Sequence, residues 1–345
     1  MKEEGAEHPK RSRRRLGLII VVVFILIGVL VAAMDAEEAL HILRHPLWRW
    51  VPLALLYTCV SYLCLSAGFS TINTIFGIRI RQRDQMEIGF VAFSLNNLVS
   101  VGGLAGYSLR LFLLRRRGMA SGDIVGASLV HSYVNHLVMM SLLPAGLVYI
   151  LVNHPLGQTR TVEFALAAAL SLLVVVITTI LLLNRAARSR AVRVAEWAAK
   201  KLLHRDVSEA TQRLQATIAG GVAAIRRRPS LMLVPLLLVA LDWTMSVLAL
   251  GACFETLRTP VHPGVLLTGF AIGVSVGLLS MLPGGLGAQE GSMAGVFVLL
   301  GVGYERALLA AMLFRVIYYV IPFAASLVLY SRLLRVGRPG EPATG

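Results

Sequence analysis

The sequence predicts an all-α polytopic membrane protein with six full transmembrane helices and two re-entrant, glycine-broken helical hairpins in an inverted repeat. Three observations predict this fold: long apolar runs, basic residues confined to particular loops, and two apolar stretches interrupted by Gly-Gly. Of the 345 residues, 57% are apolar and 15% charged, whereas soluble domains have about 45–50% and about 25%. The composition therefore excludes an ordinary soluble enzyme, a disordered chain and a disulfide scaffold.

Six apolar runs are long enough to be full spans, since a transmembrane helix needs about 20 mostly apolar residues. They cover residues 16–34, 48–69, 121–151, 162–184, 231–254 and 307–331. The first run follows four arginines within residues 11–15. It is long for a signal peptide and lacks a good cleavage site, so we expect a retained signal anchor.

The net charge of +15 indicates orientation rather than a nucleic-acid partner, because the basic residues lie in loops between apolar runs. The loop after the first span is acidic and is predicted to be external. The positive-inside rule places the basic loops at residues 79–83 and 185–228, and both termini, in the cytoplasm. We therefore expect a multi-pass protein of the cell inner membrane, with a cytoplasmic tail over residues 1–15, a membrane domain over 16–334 and a C-terminal tail over 335–345.

The same charge pattern constrains the two interrupted stretches, residues 88–116 and 264–302. If the first crossed the membrane completely, the arginines at 115–117 and the basic loop at 185–228 would be external, against the rule. The return arm of the second, residues 291–302, is about 18 Å long at 1.5 Å per residue, too short for about 30 Å of hydrocarbon. Both stretches are therefore predicted to enter the membrane and return to the same side.

Three full spans separate these hairpins, so the hairpins should enter from opposite faces. Their turns are alike in sequence: the first contains Gly102 and Gly103, and the second contains Pro283, Gly284, Gly285 and Gly287. Paired, Gly-interrupted segments of opposite orientation are typical of inverted-repeat transporters, whose binding site lies where the broken helices meet. Because glycine has no Cβ, the backbone amides of these turns can closely approach a ligand.

Four ionisable residues lie inside apolar segments: Arg110, Asp242, Glu290 and Arg315. A lone charge at mid-membrane costs about 2.5–3.5 kcal/mol on insertion scales, so these residues should be paired or face a wet cavity. Pairs such as Glu290–Arg315 and Asp242–Arg110 are possible. The alternatives are structural ion pairs or a polar cavity in which an arginine binds the phosphate of a head group.

Three further polar residues, Asn96, His131 and Asn135, are candidates to line the same pathway. Asn96 precedes the first turn, and His131 and Asn135 share a helix face at i and i+4. His131 is equally consistent with a packing role. His131 and His136 do not share a helix face, so we predict no metal site, and we expect no cofactor.

The cytoplasmic insert at residues 185–230 contains eleven Lys or Arg and three acidic residues. Apolar residues recur at helical spacing opposite basic ones between 190 and 203, which predicts an amphipathic helix on the anionic inner leaflet. A second helical pattern follows at residues 214–225. An ordinary positive-inside loop and a lipid-sensing element are both compatible with this pattern.

Residues 283–290 resemble the P-G-G-L-G-x-x-E signature of the transmembrane region of the lysylphosphatidylglycerol synthases, a flippase-like integral membrane family. Arg315 with Pro322 resembles that family's last-helix R…P element, and residues 96–110, with Gly102, Gly103 and Arg110, resemble its first-half G-G…R element. The resemblance covers residues 16–334. It implies a lipid-translocating fold that acts on a phospholipid, an aminoacyl-phospholipid or a polyprenyl-linked lipid.

In the synthases, a soluble C-terminal domain makes the aminoacylated lipid, and this chain ends shortly after its last predicted span. We therefore expect a lipid transporter rather than an enzyme, with membrane lipids as partners. One alternative is a non-transporting scaffold for an envelope lipid- or glycan-modifying enzyme. A more remote one is an intramembrane serine hydrolase, because Gly273-Val274-Ser275-Val276-Gly277 matches G-x-S-x-G and His131 could serve as its base.

Overall fold

A computed structural model of the chain describes residue 25 and residues 28–99, 104–153, 157–203 and 229–336. Every regular element within these ranges is helical. The first predicted span lies largely outside the described residues, although residues 28–32 are helical. The predicted N-terminal tail, residues 337–345 of the C-terminal tail, Gly102, Gly103 and the second helical pattern of the cytoplasmic insert also lie outside them.

Five helical segments are long and apolar enough to cross a membrane, and they correspond to five of the six predicted spans. They are Trp48–Ile75, Ser121–Asn153, Thr161–Leu181, Ser230–Thr256 and Tyr304–Leu334. The first of them continues past the predicted end at residue 69 because polar residues there bond within the helix. The Thr71 and Thr74 hydroxyls donate to the carbonyls of Ala67 and Ser70 at 2.9 and 3.0 Å, which removes the cost of hydroxyl groups in an apolar helix.

The helices are numbered in chain order. They are α1 Ala36–Arg44, α2 Val51–Ile75, α3 Gln82–Val99, α4 Leu104–Arg115, α5 Ser121–Asn153, α6 Gln158–Leu183, α7 Arg185–Leu203, α8 Leu233–Thr256, α9 Pro263–Leu279, α10 Ala288–Leu299, α11 Tyr304–Phe314 and α12 Ile321–Val336. Short 3₁₀ turns cover Trp48–Trp50, Pro229–Met232 and Pro283–Gly285. The helix predicted in the cytoplasmic insert is present as α7, and the Asn184 side chain caps it by accepting from two backbone amides.

The second interrupted stretch contains the predicted helix break, and the first predicted break, at Gly102 and Gly103, lies outside the described residues. The first stretch consists of α3 and α4, and the second of α9, the turn at Pro283–Gly285 and α10. Helix α10 has 12 residues, which corresponds to about 18 Å. The two stretches are in contact, because α3 packs against the turn at Pro283–Gly285.

The interior of the bundle forms around α2 and α8, which pack against each other along their length, with α5 beside both. Helix α6 lies at the periphery and contacts α5 and α7. Its apolar side chains, such as Leu166, Leu170 and Ile177, point away from the protein. A largely exposed apolar helix is stable in hydrocarbon and would be unfavourable in water.

The last span is not a continuous α-helix, since residues Arg315–Val320 form a π-helical segment between α11 and α12. Pro322 has no N–H and cannot donate to the carbonyl of Tyr318 four residues earlier. The Tyr62 hydroxyl donates to that carbonyl instead, at 3.1 Å. The wider turn thus has a local cause, and π-helical segments occur often at functional sites.

Candidate functional site

A cavity of about 210 Å³ lies inside the bundle. Its wall is formed by α2, α3, α4, α5, α8, α9 and the π-helical segment. It brings together five of the predicted site residues: Asn96, Arg110, His131, Asn135 and Asp242. The sequence placed these residues on four separate helices, and the fold gathers them around one polar space.

Arg110 is the principal cation of this cavity and is 5% exposed. Its guanidinium carbon lies 4.1 Å from the ring centre of Phe93 and 4.8 Å from that of Phe69. These cation–π contacts stabilise a desolvated arginine without neutralising it. No ion pair among the described residues includes Arg110, and its Nε has no hydrogen-bond partner there. The side chain is thus held in position with its charge uncompensated.

His131 and Asn135 lie on the face of α5 that borders the cavity. The His131 ring packs against the same two phenylalanines as Arg110, with centroid distances of 5.7 Å to Phe69 and 4.9 Å to Phe93. Its Nε2 has no hydrogen-bond partner within the described ranges. Asn135 accepts a hydrogen bond from the indole of Trp243 at 3.2 Å, which links α5 to α8.

Asp242 is 3% exposed and lies on the cavity wall, surrounded by hydroxyl groups. The Ser61 hydroxyl is hydrogen-bonded to its Oδ1, and the Tyr318 hydroxyl lies 3.4 Å from the same oxygen. Ser246, one helical turn after Asp242, contacts the Tyr318 hydroxyl at 2.7 Å. The predicted pair between Asp242 and Arg110 is absent from the ion pairs of the described residues.

The other predicted pair, Glu290–Arg315, is formed, and both residues are 7% exposed. Glu290 also accepts the backbone N–H of Gly287 at 2.8 Å. Arg315 donates to the carbonyl of Gly284 at 2.7 Å and to the Gln289 side chain at 3.2 Å. The pair therefore fastens the second turn to the π-helical segment.

Of the four ionisable residues within apolar segments, Glu290 and Arg315 lie outside the wall of the polar cavity. They line a separate, mainly apolar pocket of about 150 Å³. Arg315 lies over the ring of Tyr319, 4.4 Å from its centre, and Tyr319 lines the polar cavity. Since Glu290 already neutralises Arg315, neither side chain needs the cavity for solvation.

The second turn approaches the end of α3 too closely for any residue other than glycine at position 284. Gly284 has φ +58°, and a Cβ added there would lie 2.5 Å from the carbonyl oxygen of Leu98. Gly285 and Gly287 also have positive φ. Together with Pro283, these glycines place the turn against the backbone of Asn97 and Leu98. Asn97 and the preceding Asn96 belong to the cavity wall.

Several residues of the cavity were not predicted from the sequence. Ser61, Ser246, Tyr318, Tyr319 and Trp243 all lie at or next to its wall. The i, i+4 spacing of Asp242 and Ser246 was a usable signal, because it places both on one helix face. Ser61 and Tyr318 carried no such signal, because only tertiary packing brings them to Asp242.

The structure gives no support to the hydrolase alternative. The Ser275 hydroxyl donates to the carbonyl of Ala271 at 2.7 Å, an ordinary bond within a helix. Ser275 is not part of the cavity wall that contains His131. The described residues also contain no group of three or more His, Cys, Asp or Glu that could hold a metal ion.

One family and one known protein match most of the length of this chain. Residues 16–326 match the family described as "Lysylphosphatidylglycerol synthase TM region". A UPF0104 membrane protein of Pyrococcus horikoshii is 22% identical over 337 residues, which are 92% of this chain and 98% of that protein.

Two shorter matches are to UPF0104 membrane proteins of Methanothermobacter thermautotrophicus. One is 29% identical over 86 residues, 25% of this chain and 24% of the relative. The other is 39% identical over 66 residues, 19% of this chain and 20% of the relative. These two matches span a quarter or less of the relatives' lengths.

Proposed function

The chain belongs to the family of the lysylphosphatidylglycerol synthase transmembrane region, and from this we propose that it moves a lipid with a phosphate-containing head group between membrane leaflets. The observation that carries the proposal is Arg110, a buried cation without an acidic partner among the described residues, facing a polar cavity. A buried charge without a counter-ion is costly. An anionic ligand at this position would supply the missing compensation.

The chemistry around Arg110 suits a phosphate. A guanidinium presents several N–H donors in one plane and binds phosphate oxygens with charge-assisted hydrogen bonds. Phe69 and Phe93 fix the plane of the guanidinium, so little side-chain entropy is lost on binding. His131 Nε2 and Asn96 Oδ1 are further polar atoms without partners in the described part of the chain, and the amide oxygen of Asn96 can accept a hydrogen bond from a hydroxyl of the head group.

The cavity size supports a head group rather than a whole lipid. Its 210 Å³ correspond to about seven water molecules at about 30 Å³ each. This volume accommodates a glycerophosphate or a sugar phosphate, whereas the hydrocarbon chains would stay outside in the bilayer. The substrate class we propose is therefore a phospholipid, an aminoacyl-phospholipid or a polyprenyl-linked lipid, recognised through its phosphate.

We propose further that the two interrupted stretches are re-entrant hairpins from opposite faces, in an inner-membrane protein with six full spans and cytoplasmic termini. Contact between the second turn and the end of α3 is the arrangement an inverted repeat requires at its centre. The short α10 supports the proposal for the second stretch, and the basic residues at 115–117 support it for the first.

The transport proposal is tested by a leaflet assay in proteoliposomes with fluorescent phosphatidylglycerol and a fluorescent polyprenyl phosphate. We expect Arg110→Ala to abolish movement of the transported lipid. Arg115→Ala is the matched control, because Arg115 lies on the same helix but is exposed, and it should move lipid like the wild type. If folded Arg110→Ala moves every lipid as fast as the wild type, the proposed site is wrong.

The scaffold alternative predicts a different outcome of the same assay. A scaffold would show no lipid movement by the purified wild type and would co-purify with a lipid- or glycan-modifying enzyme. Movement by the purified wild type, without such a partner, excludes it.

The topology is tested by cysteine labelling with an impermeant maleimide, after Cys59, Cys64 and Cys253 are replaced by serine. We expect Glu37→Cys to be labelled in spheroplasts and Met119→Cys only after permeabilisation. Labelling of Met119→Cys in intact spheroplasts would show that the first stretch crosses the membrane completely.

A further inference from the structure

Asp242 poses a problem that the lipid site alone does not explain. Its carboxyl group is buried at mid-span, and no ion pair of the described residues includes it. An ionised carboxylate without a cation in a low-dielectric interior is strongly disfavoured relative to the neutral acid. The group therefore needs a proton or a cation to be stable in this position.

The hydrogen bonds around Asp242 indicate a proton. Four oxygen–oxygen contacts form a ring that begins and ends at Asp242. Its carboxyl Oδ1 contacts Ser61, Ser61 contacts Tyr318 at 2.6 Å, Tyr318 contacts Ser246 at 2.7 Å, and Ser246 contacts the backbone carbonyl of Asp242 at 2.9 Å. Each contact needs one hydrogen to be a hydrogen bond. The three hydroxyls supply three hydrogens, and a proton on Asp242 supplies the fourth.

With that proton, the ring has a single consistent direction. Asp242 donates to Ser61, Ser61 donates to Tyr318, Tyr318 donates to Ser246, and Ser246 donates to the Asp242 carbonyl. When the proton leaves, Ser61 reverses and donates to the carboxylate, and Tyr318 and Ser246 can reverse after it. Hydroxyl rotation alone therefore keeps three of the four hydrogen bonds after deprotonation, and the contact between Ser246 and the Asp242 backbone carbonyl loses its hydrogen.

Other charged and titratable groups lie around Asp242 on the elements that pack against it. None of them neutralises a carboxylate at the ring by an ion pair within the described residues. Those facing it or sharing the cavity are Tyr62 and Cys64 on α2, Tyr107 and Arg110 on α4, His131 and His136 on α5, and Tyr318 and Tyr319 in the π-helical segment.

We propose that Asp242, with Ser61, Ser246 and Tyr318, is a proton-binding site whose occupancy is coupled to anion binding at Arg110. A protonated Asp242 leaves Arg110 as the unopposed charge of the cavity and favours an anionic head group. An ionised Asp242 adds a negative charge to the same cavity and weakens anion binding. Because the coupling is reciprocal, a bound anion also strengthens the hold on the proton. The coupling rests on the proposed function, whereas the protonation of Asp242 does not.

The protonation is tested by infrared spectroscopy of the purified full chain at neutral pH. We expect a carbonyl stretching band of a protonated carboxylic acid that is absent from Asp242→Asn. Asp123→Asn is the matched control, because Asp123 is exposed, and it should retain the band. If Asp242→Asn does not fold, Tyr318→Phe interrupts the ring and should shift the band. A folded wild type without the band overturns the proposal.

The coupling is tested by the affinity for a short-chain phosphatidylglycerol, measured in detergent as a function of pH. We expect the affinity to fall by up to about tenfold per pH unit above the pH at which the infrared band disappears. In Asp242→Asn this dependence should vanish while binding persists. The same pH dependence in wild type and variant rules the coupling out. Loss of binding in Arg110→Ala separates this outcome from failure of the lipid site itself.

Discussion

The two intramembrane arginines have opposite environments, although both are almost fully buried. Arg315 is bound on every side by the protein itself: by Glu290, by the carbonyl of Gly284 and by Gln289. Arg110 is bordered by two phenyl rings and a polar cavity. Arg315 therefore stabilises the second turn, whereas the charge of Arg110 is available for a ligand.

This contrast separates two roles that the sequence could not separate. In the sequence, a paired arginine and an unpaired arginine are the same letter in an apolar run. An insertion scale gives both the same cost. What differs is whether the fold supplies a counter-charge. Among the described residues, Glu290 supplies one for Arg315 and no ion pair supplies one for Arg110, so substitution of each arginine should affect a different property.

The largest effect on stability is expected for Arg315→Ala. The substitution leaves Glu290 buried without its cationic partner, which costs about 3–5 kcal/mol in comparable buried pairs. It also removes the donor to the Gly284 carbonyl. We expect a large drop in thermal stability of the purified protein, measured by intrinsic fluorescence in detergent.

The double variant Glu290→Gln, Arg315→Met is the control for this loss. It removes both charges and keeps an acceptor for the Gly287 amide, so it should recover much of the lost stability. If the double variant is as unstable as Arg315→Ala alone, the charge balance is not what stabilises the second turn.

Arg110→Leu should behave in the opposite way. Removing an uncompensated buried cation costs the fold little, so the melting temperature should remain close to that of the wild type. Binding of a short-chain phosphatidylglycerol should weaken by about tenfold to a hundredfold, corresponding to the roughly 1.5–3 kcal/mol of a hydrogen bond to a charged group.

Arg110→Lys tests whether the charge or the planar group matters. A lysine keeps the charge but loses the bidentate geometry and the stacking on Phe93, so we expect intermediate binding. A large loss of stability in either Arg110 variant would show that this arginine is structural, like Arg315.

The contact between the two halves depends on Gly284. Alanine at this position meets a backbone penalty of about 1–2 kcal/mol at positive φ and a collision with the Leu98 carbonyl. Gly301→Ala is the control, since Gly301 has φ +90° and nothing within 4 Å of an added Cβ. We expect Gly284→Ala to be less stable than Gly301→Ala by about 1–2 kcal/mol, and equal stabilities would show that the turn can move away from α3.

The sequence predicted much of this arrangement and missed the rest for physical reasons. Hydropathy and charge identified five spans that the structure contains, and the second Gly-rich turn located the helix break at Pro283–Gly285. Pairing was out of reach, because a single sequence does not show that Arg315 pairs with Glu290 while no ion pair of the described residues includes Arg110. The ring around Asp242 was also out of reach, because it depends on contacts between α2, α8 and the last span.

The smallest effect concerns the hydrogen bond from Trp243 to Asn135, which connects α8 to α5 at the cavity wall. Trp243→Phe keeps most of the aromatic packing against Phe270 and removes the donor, so a loss of about 0.5–1.5 kcal/mol is expected. Trp48→Phe is the control, because Trp48 is 66% exposed, and it should leave stability unchanged. Since Trp243 belongs to the side of the cavity that contains Asp242, the variant should also leave phosphatidylglycerol affinity near the wild-type value. A loss of affinity as large as that of Arg110→Leu would instead make the frame of the cavity, rather than its unpaired cation, the main determinant of anion binding.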